Sequence, residues 1–115
     1  GKYITLGADE VVDRDYFAAG ELVEISGTVN GDVYAAGAEV IVDGEINGDL
    51  LVAGGNVLIT GKVSQDIRVA GGEVKLSAEV GQSVTAVGGN VYLTEPASLG
   101  KNVVAAAGNL RLATP

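Results

Sequence analysis

The chain has no histidine, cysteine, tryptophan or methionine among its 115 residues, and only two prolines. Without histidine it lacks the commonest general acid–base of enzymes. Without cysteine it forms no disulfide and offers no thiolate to a metal, although this selects no compartment. Basic residues are few, 7 against 15 acidic ones, for a net charge of −8. Nucleic-acid binding draws most of its affinity from neutralising phosphates, so this balance argues against a polyanionic partner, and the basic residues stand singly. No apolar run reaches the length of a membrane-spanning helix. There is no G-x-x-x-x-G-K-[ST] motif, no nucleophile elbow and no long insertion to wall a pocket, so the chain is not expected to be an enzyme or to hold a cofactor, metal or small-molecule substrate. No initiator methionine precedes Gly1. That points to processing or trimming, with a cleaved signal peptide and excision from a longer chain both open.

What is present is small and apolar. Hydrophobic residues make up 47% of the chain while aromatics reach only 4%, and there are 18 glycines. This is the composition of short strands joined by tight corners. The length fits one domain.

The organising stretch is Val29 to Glu45, V-N-G-D-V-Y-A-A-G-A-E-V-I-V-D-G-E. Seventeen residues on, Ile46 to Lys62 reads I-N-G-D-L-L-V-A-G-G-N-V-L-I-T-G-K, and Val63 to Glu79 reads V-S-Q-D-I-R-V-A-G-G-E-V-K-L-S-A-E. The frame extends backwards over 12–28 and forwards over 80–98, where two extra residues intervene near Pro96, and then over 99–115. Residues 1–11 make an incomplete unit. A fixed short period marks a solenoid, in which each coil buries its apolar side chains only against its neighbours.

Within each unit two alternations recur. Val33 and Ala35 stand at the fifth and seventh positions, Val40 and Val42 at the twelfth and fourteenth, and Val29 at the first. Their equivalents in other units are nearly all Val, Ile, Leu or Ala, and period two is a strand signal. Glycines recur at the ninth position (Gly20, Gly37, Gly54, Gly71, Gly88) and at the sixteenth (Gly27, Gly44, Gly61), where positive φ would bend every coil alike. Three short strands and three corners per unit predict an all-β, single-chain parallel β-helix of six coils plus an N-terminal half coil. At about 4.8 Å per coil the stack is about 30 Å long. Right-handedness is expected from the preference of parallel-strand connections.

A β-helix leaves unpaired backbone groups and core side chains at its two ends unless a polar repeat or helix closes them. Neither is visible. The half coil carries Tyr3, Ile4 and Leu6, and the last coil carries Leu110 and Leu112 in full register. These five residues are the expected polymer interface, because end-to-end stacking that does not close yields a filament.

The recurring V-x-G-D-V-x-A-x-G-x-x-V-x-I-x-G, as in Val29 to Gly44 and Ile46 to Gly61, resembles the bactofilins, polymer-forming bacterial cytoskeletal proteins. The resemblance runs from about Val12 to Leu112. It implies a right-handed β-helix that polymerises end to end, without nucleotide, into non-polar filaments serving as a scaffold near the membrane. The A-G-G-N-V and A-A-A-G-N-L variants look more like bactofilin-like repeat proteins exported to the cell envelope. Cell-envelope or extracellular placement is therefore favoured over a cytoplasmic, membrane-associated cytoskeleton. Membrane attachment would reside in segments outside this chain.

Three outward features compete with a plain scaffold. The Asp column Asp15, Asp32, Asp49 and Asp66, continued by Ser83 and Asn102, is either a cation ladder or a row of turn residues. Its Ser and Asn members favour the turn reading. The eleventh position, Glu39, Asn56, Glu73, Asn90 and Asn109, reads as a solvated corner more than an asparagine ladder. Large apolar residues point outward at Phe17, Tyr34, Ile41, Leu51 and Leu58, on different faces, and supply a possible lateral contact. With that contact in command, the alternative function is a monomeric or low-oligomer binding module of the cell envelope.

Overall fold

The computed structural model describes residues 3–93 and 102–112, with side chains over 3–93 and 104–110. In chain order the strands are β1 (Tyr3–Leu6), β2 (Val11–Val12), β3 (Tyr16–Ile25), β4 (Thr28–Val29), β5 (Val33–Val42), β6 (Glu45–Ile46), β7 (Leu50–Ile59), β8 (Lys62–Val63), β9 (Ile67–Leu76), β10 (Glu79–Val80), β11 (Ser83–Leu93) and β12 (Asn102–Leu112). No helix occurs among the described residues. The long strands form one seven-stranded sheet, β1-β3-β5-β7-β9-β11-β12, and the two-residue strands a five-stranded sheet, β10-β8-β6-β4-β2. All pairings are parallel, and from β3 to β11 each partner lies seventeen residues away, as in Val33↔Leu50 and Leu50↔Ile67. The chain is a β-solenoid of about 6 turns.

Each coil has two hydrogen-bonded sides where three short strands were expected. The two alternating segments join into one ten-residue strand that bends in its middle. In β5 the buried residues are Val33 and Ala35, then Val40 and Val42, so the alternation slips by one residue across the bend. At that slip Glu21, Ala38, Gly55, Gly72 and Gly89 drop out of the pairing register, while the residues on both sides stay paired. One unpaired residue in every coil lets the strand turn the corner as a bulge does, keeping inward residues inward.

The glycine columns are needed for a different reason from the expected one. Gly37 and Gly54 lie outside the positive-φ region. A Cβ on Gly37 would stand 2.5 Å from the Gly20 carbonyl oxygen, and one on Gly54 2.7 Å from that of Gly37, closer than the 3.0 Å that real Cβ atoms keep. At these two positions the backbone passes too near the carbonyl of the coil below to admit a side chain without a shift. At the sixteenth position Ala78 replaces glycine and is buried, and the bond from the Glu79 amide to the Gly61 carbonyl measures 3.2 Å, against 3.0 Å at Glu45 and Lys62.

The five inward columns fill the interior. Val29, Val33, Val40, Val42, Ile46, Leu50, Ile59, Ile67, Val74 and Leu76 are fully buried, and no polar or charged residue is buried among the described residues. The solenoid measures 33 × 30 × 19 Å along its principal axes.

Candidate functional site: coil ends and outward faces

At the N-terminal end β1 pairs only with the second half of β3, from Tyr3↔Leu22 to Leu6↔Ile25. The first half of β3, Tyr16 to Gly20, has no described strand on that side, and β2 is likewise an edge. Ile4, Val12 and Tyr16 are therefore only partly buried, packed over the end of the core. Tyr16 stands in the column filled elsewhere by Val33, Leu50, Ile67 and Val84. Burial raises its hydroxyl pKa above the ordinary 10.0, and the nearby Glu10 carboxylate adds to the rise. Glu10 itself closes the turn from β1 to β2, its Oε1 accepting the Gly7 amide at 2.8 Å while its own amide donates to the Gly7 carbonyl at 3.0 Å.

The expected interface residues occupy unequal places. Tyr3 points outward and is 73% exposed, Ile4 is half-buried and Leu6 is buried. At the other end β12 is the edge strand. Leu110 sits in the column of Val40, Val57, Val74 and Val91, which are at most 3% exposed, yet is itself 45% exposed because no described coil covers it. Leu112 pairs with Leu93 through the backbone, and its side chain lies outside the described residues.

Two polar ladders run along one corner, between the short and the long strand of successive coils. The Asp15 Oδ1 accepts the Asp32 amide at 2.8 Å, Asp32 that of Asp49 at 2.8 Å, Asp49 that of Asp66 at 3.0 Å, and Asp66 that of Ser83 at 3.0 Å. Each carboxylate thus bonds the next coil, where the turn reading expected a local amide. No group of three or more acidic residues able to hold a metal ion occurs among the described residues. A second ladder escaped the sequence reading. Asn30 donates to Asp13 at 2.7 Å, Asn47 to Asn30 at 2.7 Å, and Ser64 to Asn47 at 3.1 Å. The available signal was the recurring Asp, Asn, Asn, Ser at the second position of successive units. At the eleventh position, among the described residues, one such bond forms, from Asn109 to Asn90 at 2.9 Å.

The outward apolar residues divide between two faces. Phe17 and Tyr34 stack with ring centroids 4.8 Å apart and planes 7° from parallel, and Leu51 extends their row. This row walls an open groove whose floor is Ala19, Ala36, Ala53 and Ala70. Ile41 and Leu58 lie across the bend beside Glu39, Glu73 and Lys75. There Lys75 approaches Glu73 at 3.8 Å and the Tyr92 ring at 6.0 Å, so this second face is mixed in character. No protein-family description, curated protein or solved structure matches this chain.

Proposed function

We propose that this chain is a structural protein that assembles end to end through its terminal coils into a filament or scaffold. The observation that supports this best is the continuation of the inward columns to the edge strands. Leu110 is half-exposed where Val40, Val57, Val74 and Val91 of its column are buried, and Ile4, Val12 and Tyr16 cover the opposite end only in part. Parallel edge strands with core side chains beside them are templates for further pairing. The resemblance to bactofilins, carried by the V-x-G-D-V-x-A-x-G repeat, agrees with a polymeric scaffold of the cell envelope or of the membrane-associated cytoskeleton. A second reading, an envelope binding module, draws on the Phe17–Tyr34–Leu51 row.

Electron microscopy of the purified chain beside a Leu110→Lys, Leu112→Lys variant separates the two. Filaments one β-helix wide that vanish in the variant support end-on assembly. Uniform particles about 30 Å long in both samples overturn it and leave the binding module.

A further inference from the structure

The groove face differs chemically from the rest of the molecule. None of the 15 acidic residues stands in its two outward columns, although the chain carries a net charge of −8. Acidic side chains instead follow the corners at Asp15, Asp32, Asp49 and Asp66 and the face beyond the bend. The only charged residue in these columns is Arg68 of the fourth coil, so repulsion between two copies is weakest across the first three coils of this face.

Its relief is also self-complementary. Within each of the first three coils a bulky residue and a small one stand two positions apart and point the same way: Phe17 with Ala19, Tyr34 with Ala36, and Leu51 with Ala53. Phe17 is 71% exposed and the alanines are exposed. A two-fold axis parallel to the stack and midway between the columns exchanges them, setting each ridge on the facing floor. Large on small in each of these three coils is how packed sheets interdigitate. The coil spacing of such a partner has to equal that of this chain along the whole groove, and a second copy meets that condition.

We infer that this face pairs side by side with the same face of a second copy, the Phe17–Tyr34–Leu51 ridge of each lying over the Ala19–Ala36–Ala53 floor of the other. The pairing is independent of end-on assembly, since the groove lies along the side of the coils. Three coils about 4.8 Å apart and two columns about 14 Å across give about 200 Å² per copy. That is below the ~800 Å² per partner of a standard interface. The contact is therefore weak and concentration-dependent for single molecules, and it multiplies where many coils line up.

The absence of cysteine makes a clean crosslinking test possible. Leu51→Cys and Ala53→Cys chains are mixed and treated with a short bis-maleimide, and the crosslinked peptides are identified by mass spectrometry. The expected result is a several-fold excess of products joining the Leu51→Cys site to the Ala53→Cys site over both like-with-like products. Adding Ala36→Glu to both chains abolishes that excess, whereas Ile41→Glu, across the bend, leaves it unchanged. Circular dichroism verifies that each variant keeps its β signature. A statistical mixture of the three products, as random encounter between the two chains gives, overturns the inference. A dominant product joining two Leu51→Cys sites also overturns it, because that is the mark of antiparallel solenoids with ridge on ridge. End-on contacts bring neither position of the third coil near its counterpart, so this outcome does not depend on whether filaments form.

Discussion

At the scale of single residues, the demands on this chain come from the coil above or below. Gly54 would place a Cβ 2.7 Å from the Gly37 carbonyl oxygen, whereas Gly72 would place one 3.1 Å from that of Gly55. The corner position of Gly72 already holds Glu21 and Ala38 in other coils. Gly54→Ala is expected to cost about 1–3 kcal/mol, the usual cost of overpacking, and Gly72→Ala less than about 0.5 kcal/mol, read as shifts of the urea midpoint. Asp49 illustrates the ladder. Its Oδ1 accepts the Asp66 amide at 3.0 Å in a partly buried setting. Asp49→Ala removes that acceptor and should cost about 1–2 kcal/mol, while Asp49→Asn keeps an oxygen in place and should retain most of the stability. Tyr16 sets an alkaline boundary. Its pKa is raised above 10.0 in the fold by burial and then by Glu10. A group that holds its proton more tightly when folded contributes stability that is complete below the unfolded pKa and lost as pH rises through the raised value. Stability of the native chain should therefore fall more steeply above pH 10 than that of Tyr16→Phe, as followed by denaturant titration across that range.

The coil is the natural element, because each one repeats the same contacts. Removing Ile46 to Lys62 would bring Val33 over Ile67 and Val42 over Leu76, the same columns that these residues occupy now. It would also set Asp32 beneath the Asp66 amide, renewing the ladder. Such a chain should keep its β-type circular dichroism and cooperative unfolding, with a lower melting temperature because one nearest-neighbour interface has gone. Removing only Ile46 to Ala53 would put strand segments out of phase and turn buried side chains outward. Loss of cooperative melting is expected there. Much of the coil was legible beforehand: the five inward columns, from Val29 to Val42 in one unit, are the buried ones. The fused long strand was not. Alternation within either half reads as a complete short strand, and the slip between Ala35 and Val40 looks like a corner until pairing on both sides of Ala38 shows the ladder to be continuous.

For the whole molecule, charge and shape act in opposite directions. A net charge of −8 on a chain of 115 residues makes copies repel one another, and ions screen that repulsion over roughly 10 Å at about 0.1 M salt. Both proposed contacts are apolar, so assembly should strengthen from low to moderate salt, as seen by light scattering at fixed protein concentration. Weakening would point to ion pairs at the contact and count against apolar ends.

The repeat, its length and its inward columns were determined by the sequence alone, since seventeen-residue copies place like residues in like surroundings and alternation marks which of them face inward. Tyr3, Ile4, Leu6 and Leu110 were legible as end residues in the same way, but their unequal exposure was not. Only the tertiary structure decided that Asp15 to Asp66 bond the next coil, that Asp13, Asn30, Asn47 and Ser64 form a second ladder, and that Gly37 and Gly54 answer to a carbonyl beneath them. It alone separated Phe17, Tyr34 and Leu51 from Ile41 and Leu58. These features depend on distances between residues seventeen apart in the chain and on the angle of the bend in each strand, and a pattern read along one coil carries neither.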